Sequence, residues 1–392
     1  MQYRRMKDGT MVSVLGYGCM RFTTKNGRII YEKAENEILH AVKYGVNYFD
    51  TAYIYPGSEE LLGKIMEKNR LRDKMYIATK LPYYLVKSAS MIDSFFNEEL
   101  KRLRTDHVDF YLMHMLSDVD SWERMKGYGI EEWIKKHKAD RSVRNVGFSF
   151  HGDTETFIKL LDAYDWDFCQ IQYNYLDEHT QAGRRGLQYA ASKGIPVVIM
   201  EPLRGGRLIT FMPEKAKKLI TDYPVQHTPA EWALKWLWDQ PEVTCVLSGM
   251  NSLKMLRENV RCASHTRAGE LTERDHTLIK DVRRMTLESA KVGCTGCRYC
   301  MPCPRGVDIP MTFNAYNRTA VDKLNSVRRE YIQVTSFKKK RSDMTQCVEC
   351  GKCEKHCPQH IPIRKELKNA RKVLLPWYVK LISNIVNLAA NK

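Results

Sequence analysis

The 392-residue sequence contains no apolar run approaching the roughly 18 uninterrupted residues that a membrane-crossing helix needs. Its amino terminus, MQYRRMKDGTMVSV, has no apolar signal core, which argues against export. No G-x-G-x-x-G follows the first β-type run, so an open dinucleotide-binding sheet loses its main support. No nucleic-acid recognition motif accompanies the basic charge, and no flavin fingerprint is present. These absences predict a cytoplasmic chain that binds no nucleic acid and does not insert into a membrane. Apolar residues make up 43% and aromatics 10%, the balance of a globular rather than a disordered protein. The length exceeds one ordinary core and predicts a large domain followed by a smaller one.

Charge and cysteine are unevenly spread. From residue 291 onward there are 20 Lys+Arg against 7 Asp+Glu, a net +13, whereas the first 290 residues hold 43 against 39, a net +4. Of twelve cysteines, Cys19, Cys169, Cys245 and Cys262 are scattered, and eight fall in two tight clusters after residue 293. In a reducing cytoplasm such clusters mean metal rather than disulfides. The expected domains are therefore a barrel over 1–290, a metal-binding domain over 291–370 and an amphipathic helix over 371–392.

Across the first 290 residues, β-type runs at 15–20, 48–51, 75–79, 108–113, 145–148, 168–173, 197–200 and 244–248 alternate with amphipathic segments such as 35–44, 88–103, 154–162, 182–193 and 228–239. Eight strands alternating with helices predict an α/β fold, a (β/α)8 TIM barrel, with an open doubly wound sheet as the competitor. In a barrel, chemistry belongs at the C-terminal strand ends. The second strand ends on Asp50, the third on Lys80 in YIATKLP, and the fourth on His114 in DFYLMHML. Tyr55 lies in the loop after Asp50, before a helix expected to open with Ser58 as N-cap and Glu59-Glu60 in its first turn.

A lone strand-end histidine is usually a core residue, and a lone lysine usually a snorkelling one. Four such groups converging from consecutive strands read as a site. The ammonium of Lys80 is expected to lower the pKa of Tyr55 and make it a proton donor near neutrality, with Asp50 holding Lys80 charged and oriented. His114 is expected to hydrogen-bond and position a substrate carbonyl oxygen. Together these groups suit protonating an oxygen while a hydride reaches the adjacent carbon, or the reverse.

The stretches LGYGCMR, FDTAYIY, the Lys80 and His114 strand ends, GFSFHG, CQIQYN, EPLRGG and LSGMNSLKMLREN resemble the aldo-keto reductases over about the first 260 residues. The resemblance implies Tyr55, Lys80, Asp50 and His114 as the catalytic tetrad. It implies that Ser149 and Gln170 bind the nicotinamide carboxamide. Gly18, Met20 and Arg21, together with Met200 and Leu203 of the 201–206 loop region, would line the cofactor. Ser248, Gly249 and Asn251 would meet a phosphate at the start of the last barrel helix, where physics also favours an anion; Asn259 would be the adenine-side contact. Phe150 stands where the family often has an amide, and Met200 replaces the aromatic that commonly stacks on nicotinamide. Only Lys254 and Arg257 lie near the place of a 2′-phosphate clamp, which leaves NADP(H) and NAD(H) both open.

The cysteine runs are Cys294-x2-Cys297-x2-Cys300-x2-Cys303-Pro304 and Cys347-x2-Cys350-x2-Cys353-x3-Cys357-Pro358. The second matches the bacterial ferredoxin run, in which the fourth cysteine serves the other cluster. That rule predicts two [4Fe–4S] clusters, one on Cys294, Cys297, Cys300 and Cys357 and the other on Cys347, Cys350, Cys353 and Cys303. Zinc is the competing occupant of x2-spaced pairs. The long gap between the runs reads as helix over 311–325 and 327–337, similar to the α-helical ferredoxin domains of respiratory iron–sulfur subunits. The basic run 338–341 is expected to be a solvated face, or a docking surface for an acidic electron carrier such as a ferredoxin or flavodoxin. The tail from Trp377 has an apolar helical face, expected to dock on the body of the protein.

The leading expectation is thus an oxidoreductase that interconverts a carbonyl and an alcohol with NAD(P)(H), joined to an iron–sulfur electron-transfer domain. Hydride moves two electrons and a cluster one, so two other arrangements stay open. In one, the chain is an electron-transfer protein whose clusters serve a carrier or bound flavin, with nicotinamide secondary. In the other, the clusters are structural or redox-sensing and the barrel works alone.

Overall fold

In the computed structural model the chain is described over residues 1–377, apart from 211, 289–290, 295, 297, 321, 338–339 and 358–359. An amino-terminal hairpin, β1 (Tyr3–Arg5) and β2 (Met11–Ser13), precedes β3 (Leu15–Gly18). A second small hairpin, β4 (Thr24–Lys25) and β5 (Arg28–Ile29), leads into α1 (Tyr31–Lys43). Then follow β6 (Tyr48–Asp50), α2 (Ser58–Asn69), β7 (Tyr76–Leu81), α3 (Ala89–Leu103), β8 (Val108–Leu116), α4 (Val119–Gly127) and α5 (Ile130–Ala139). The second half runs β9 (Val143–Phe150), α6 (Thr154–Asp162), β10 (Phe168–Gln172), α7 (Gly183–Ser192), β11 (Val197–Met200), α8 (Arg207–Thr210), α9 (Glu214–Thr221), α10 (Pro229–Trp238), β12 (Val243–Ser248), α11 (Leu253–His265) and α12 (Glu273–Glu288).

Strands β3, β6, β7, β8, β9, β10, β11 and β12 pair in parallel and close into a barrel, in that order. Each of the eight expected strands is present, with ends shifted by a few residues. Tyr48, Ala78, Phe110, Leu112, Phe168, Val198, Cys245 and Leu247 form the packed interior. The hairpin closes the lower end: its Met6 and Val12 join that interior, and Arg4 donates to the carbonyls of Trp238, Gln240 and Val243. The period of two along a strand then fixes the top. Tyr48 points inward and so does Asp50; Ala78 places Lys80; Phe110 and Leu112 place His114. The larger core lies outside the strands, between them and the helices.

The cysteine-rich segment has its own core, built on Val307, Ile309, Phe313, Val327, Tyr331, Leu367 and Leu374. Its helices are α13 (Ile309–Arg318), α14 (Leu324–Ser336), α15 (Lys352–Lys355) and α16 (Ile363–Leu374). Tyr331 ties it together by bonding Thr312 at 2.9 Å and accepting from the Met344 N–H at 3.0 Å.

Three local expectations are corrected. Gly57, in a left-handed conformation, takes the cap position of α2; Ser58 is already helical and turns its hydroxyl to the Cys19 carbonyl at 2.9 Å and Thr51 at 2.8 Å. The helix expected over 311–325 stops at Arg318, and the next starts at Leu324, because Arg318 turns back to hold Asp322 across the break. The expected boundary at residue 370 falls inside α16, whose Leu367, Ala370 and Leu374 fill one core. Most of the expected tail helix lies outside the described residues, as do Lys338 and Lys339 of the basic run. No described helix is long and apolar enough to cross a membrane.

Candidate active site and metal centres

Asp50, Lys80 and His114 are almost fully buried at the top of the barrel. Lys80 Nζ lies 2.7 Å from both Asp50 carboxylate oxygens and 2.6 Å from the Thr51 carbonyl oxygen. Its three ammonium hydrogens are thereby spent. Tyr55 leans over this pair, its ring centre 5.1 Å from Nζ and edge-on to the His114 ring at 5.9 Å and 83°. The four groups expected to form a tetrad therefore meet on one face.

Their protonation follows from burial. Burial raises the Asp50 carboxyl, with Lys80 acting against it. Burial, then the nearby charges of Lys80 and His151, hold His114 well below the ordinary histidine value. The imidazole is therefore neutral at physiological pH, and its buried Nδ1 has no hydrogen-bond partner. Burial, followed by the charges of Asp50 and Glu201, raises the Tyr55 phenol. The expectation that Lys80 lowers it is corrected here: Asp50 takes up the ammonium, and the pair presents a dipole rather than a bare positive charge. Tyr55 is consequently a proton donor that keeps its proton through neutrality, and a poor base.

Of the residues that the resemblance assigns to a nicotinamide cofactor, Ser149 on β9 and Gln170 on β10 are register partners in the barrel. Ser149 Oγ accepts the Met115 N–H at 2.8 Å, which leaves its own hydrogen to donate. Gln170 Nε2 reaches the Met200 sulfur at 3.6 Å, while its buried Oε1 has no partner. An orphaned buried acceptor beside a serine hydroxyl fits a carboxamide. Phe150 faces away and packs against Phe148 and Phe157, so it belongs to the α6 side of the barrel wall. Met20 is 63% exposed at the rim, and Leu203 is partly exposed. Arg21 lies across two loops: a side chain at Gly205 would meet its guanidinium at 2.6 Å, and one at Gly249 its Cδ at 3.1 Å. Gly205 also has a φ of +66°, so glycine is required there twice over. The α11 N-cap is Ser252, so Gly249 and Asn251 lie in the loop leading into the helix rather than inside it. Asn259 turns inward and donates to Ser248 at 3.0 Å. Lys254 is exposed and lies 4.0 Å from Glu258.

Helices α13 and α14 sit over this face. Asn314 of α13 donates to Asp177 at 2.7 Å, and Gln333 of α14 touches Met115, the residue after His114. Asp177 is a buried hub that also accepts from Arg204 and Asn174. The Arg204 guanidinium outweighs the burial and holds its carboxyl below the usual range. Above it, Arg318 of α13 is paired with Glu330 of α14. Asp177, Arg318 and Glu330 carry no sequence signal, because Arg204 and Asn314 reach Asp177, and Arg318 reaches Glu330, from more than ten residues away.

In the cysteine-rich segment, Cys303, Cys347, Cys350 and Cys353 line one small cavity, partly open to solvent, together with Val307, Ile309 and Leu367. The cavity therefore brings Cys303 from the first run to three cysteines of the second. Four cysteines drawn from both runs on one cavity are the number of thiolates that one cuboidal cluster takes. Burial, then Glu354, Cys347 and Cys303, push the Cys353 thiol up to about 11, so thiolates here would depend on bound metal. Cys294, Cys300 and Cys357 pack against the same core; Cys297 is outside the described residues.

Residues 14–284 match the Aldo/keto reductase family, and residues 293–361 match the 4Fe-4S dicluster domain. The chain is 24% identical over 300 residues to the uncharacterized oxidoreductase YqkF of Bacillus subtilis (strain 168), covering 68% of this chain and 93% of that protein. It is 26% identical over 274 residues to L-galactose dehydrogenase of Arabidopsis thaliana, covering 64% and 84%. Among solved structures it is similar to the aldo-keto reductase AKR11C1 from Bacillus halodurans in its holo form, with 23% identity, a TM-score of 0.59, and coverage of 72% of this chain and 96% of that one. An aldo-keto reductase from Klebsiella pneumoniae in complex with NADPH gives 20%, 0.57, 72% and 95%. At these identities the structural likeness carries the fold.

Proposed function

The chain belongs to the aldo/keto reductase family, and we propose that it interconverts a small carbonyl compound and its alcohol with NADP(H) or NAD(H), while its cysteine-rich domain holds two [4Fe–4S] clusters. The observation that carries this reading is the convergence of Asp50, Tyr55, Lys80 and His114 beside an orphaned Gln170 Oε1. When bound, a nicotinamide would supply or accept hydride, and the clusters would carry single electrons. The residues do the rest. Neutral His114 donates to the carbonyl oxygen and fixes its place. Tyr55 gives its proton to that oxygen as negative charge develops there, and its raised pKa keeps it in the protonated form. Lys80 and Asp50 hold the loop after β6 through Thr51, and Ser149 and Gln170 orient the carboxamide. NADP(H) is the first cofactor to test, since the Klebsiella pneumoniae neighbour is described in complex with NADPH.

The ligand sets proposed for the clusters are Cys347, Cys350, Cys353 with Cys303, and Cys294, Cys297, Cys300 with Cys357. What supports the first set is the shared cavity. Cys350 and Val348 are exposed at its mouth, flanked by the exposed Arg305, Lys352 and Lys355. Such a rim suits an acidic one-electron carrier. Cysteine runs kept as metal ligands are compatible with a reducing compartment, and the cytoplasm is the location proposed. The test is an anaerobically purified full chain mixed with NADPH, then NADH, and a set of aldehydes. Aldehyde-dependent nicotinamide oxidation supports the reading; cluster bleaching by a reduced carrier without any carbonyl turnover favours the electron-transfer alternative.

A further inference from the structure

Another cavity, of about 440 Å³ and open along one side, lies where the barrel meets the first cysteine run, and none of the tetrad or of the residues assigned to a nicotinamide lines it. Four arginines do, from three segments of the chain. Arg184 and Arg185 stand in the first turn of α7, Arg283 is on α12, and Arg298 lies between Cys297 and Cys300 in sequence. A side chain at Gly296 would meet His179 Cβ at 3.3 Å, so the cysteine run rests on the loop after β10. The residues assigned to the cofactor's phosphate are at the end of β12 and in the loop before α11, and β11 separates β12 from β10.

Helices favour acids in their first turn, where the macrodipole is positive. The first turn of α7 has no acid and carries two arginines instead, so their charge works against the helix they stand on. Glu178 pairs with Arg184, and Glu155 pairs with Arg185 from outside the groove. Four positive charges thus meet two negative ones. No described residue takes the Arg298 guanidinium by hydrogen bond or ion pair, although Arg298 holds a left-handed backbone conformation with φ +66°, a costly posture for a non-glycine residue. Burial lowers the His179 pKa, with Glu178 acting against it and Arg283 and Arg184 reinforcing it, so the positive field reaches across the groove.

We propose that this groove binds a phosphorylated small molecule, with Arg283 and Arg298 gripping its phosphoryl group from the two sides of the seam. The positive excess matches the charge of about −2 that a phosphate monoester carries near neutrality. Every cation lining the groove is arginine rather than lysine, and its planar fork meets phosphate oxygens in pairs. The volume lies in the range of ligand pockets and leaves room beyond the phosphoryl group for the rest of the molecule. A concave site of this kind suits a small molecule better than the broad face of a protein partner. Occupation would bridge the barrel to the loop that carries Cys294, Cys297 and Cys300 and set negative charge beside it. Net charge around a cluster tunes its potential, so the ligand would make the first cluster harder to reduce.

The test titrates inorganic pyrophosphate into the anaerobic full-length holoprotein by calorimetry, with NADP⁺ in excess to fill any cofactor place and about 0.15 M KCl to screen weak surface attraction. About one pyrophosphate per chain is expected to bind, with a submillimolar Kd. Arg283→Gln and Arg298→Gln, each purified with wild-type iron content, are expected to weaken it by about tenfold or more. Using two variants guards against one that fails to fold. In an EPR-monitored redox titration, pyrophosphate is expected to lower the potential of one cluster and leave the other in place. No binding, an affinity unmoved in the folded variants, or binding that shifts neither potential would overturn the inference. So would a groove that ignores pyrophosphate while reduction by an acidic ferredoxin slows in the same variants, which would make it a protein-docking face. Each of these results leaves the reductase reading standing, because that reading is judged by aldehyde turnover.

Discussion

Replacing Asp50 by Asn tests how the buried pair controls Tyr55. In the native site Asp50 takes two of the three Lys80 hydrogens, and its charge is the largest electrostatic influence raising the phenol. The substitution keeps the shape and one acceptor but removes the negative charge, so Lys80 faces Tyr55 uncancelled at 5.1 Å from the ring centre. The charge removed is that of Asp50, and a unit charge about 5 Å from the phenolate interacts with it by about 3 kcal/mol at an effective dielectric of about 20, equivalent to about two pH units. Alcohol oxidation requires the phenolate, so its alkaline rise should begin about two pH units lower in Asp50→Asn. The assay is the pH profile of kcat for oxidation, with NADP⁺ saturating. An unmoved or upward-shifted rise refutes the reasoning.

The pH dependence of stability follows from His114, whose pKa lies well below the ordinary value in the folded protein. An unfolded chain takes up that proton below about pH 6.5 and the folded chain refuses it, so stability should decline by about 1.4 kcal/mol per pH unit as pH falls from there. Asp177 acts in the same sense in a lower window: its lowered pKa contributes stability above about pH 4 that is lost only below that value. Denaturant midpoints at pH 7.5 and 5.5 should therefore differ less in His114→Asn than in the wild type; equal differences would count against the assignment. Cys303→Ser should lower bound iron from about eight to about four atoms per chain, because one of two cubanes loses a ligand. Retention of all the iron would contradict the crossed ligand sets.

Much of the barrel and tetrad was legible because strand periodicity is local. Once Tyr48, Ala78 and Phe110 point inward, Asp50, Lys80 and His114 must do so too, and the alternation of apolar runs with amphipathic ones places all three at one end. The cysteine spacing was legible for the same reason. Less legible was how polar groups share hydrogens. Lys80 could have served Tyr55 or Asp50, and only the folded site shows Asp50 and the Thr51 carbonyl taking all three. Ser58 had the chemistry of a cap, but a left-handed Gly57 took that place and freed the hydroxyl for Thr51 and Cys19. Least legible were contacts between the two units: Asn314 meets Asp177 across 137 residues of chain. Neither residue belongs to a motif.

The central claim is that Tyr55 delivers the proton in a site preassembled by its neighbours, and Tyr55→Phe tests it most directly. The substitution removes one oxygen and keeps the ring against His114 and over Lys80. Anaerobic turnover of an aldehyde should fall by about 10²–10⁴-fold in kcat, while NADPH affinity and the EPR signals of the reduced clusters stay at wild-type values. Wild-type kcat in a Tyr55→Phe protein with intact cofactor binding would contradict the account.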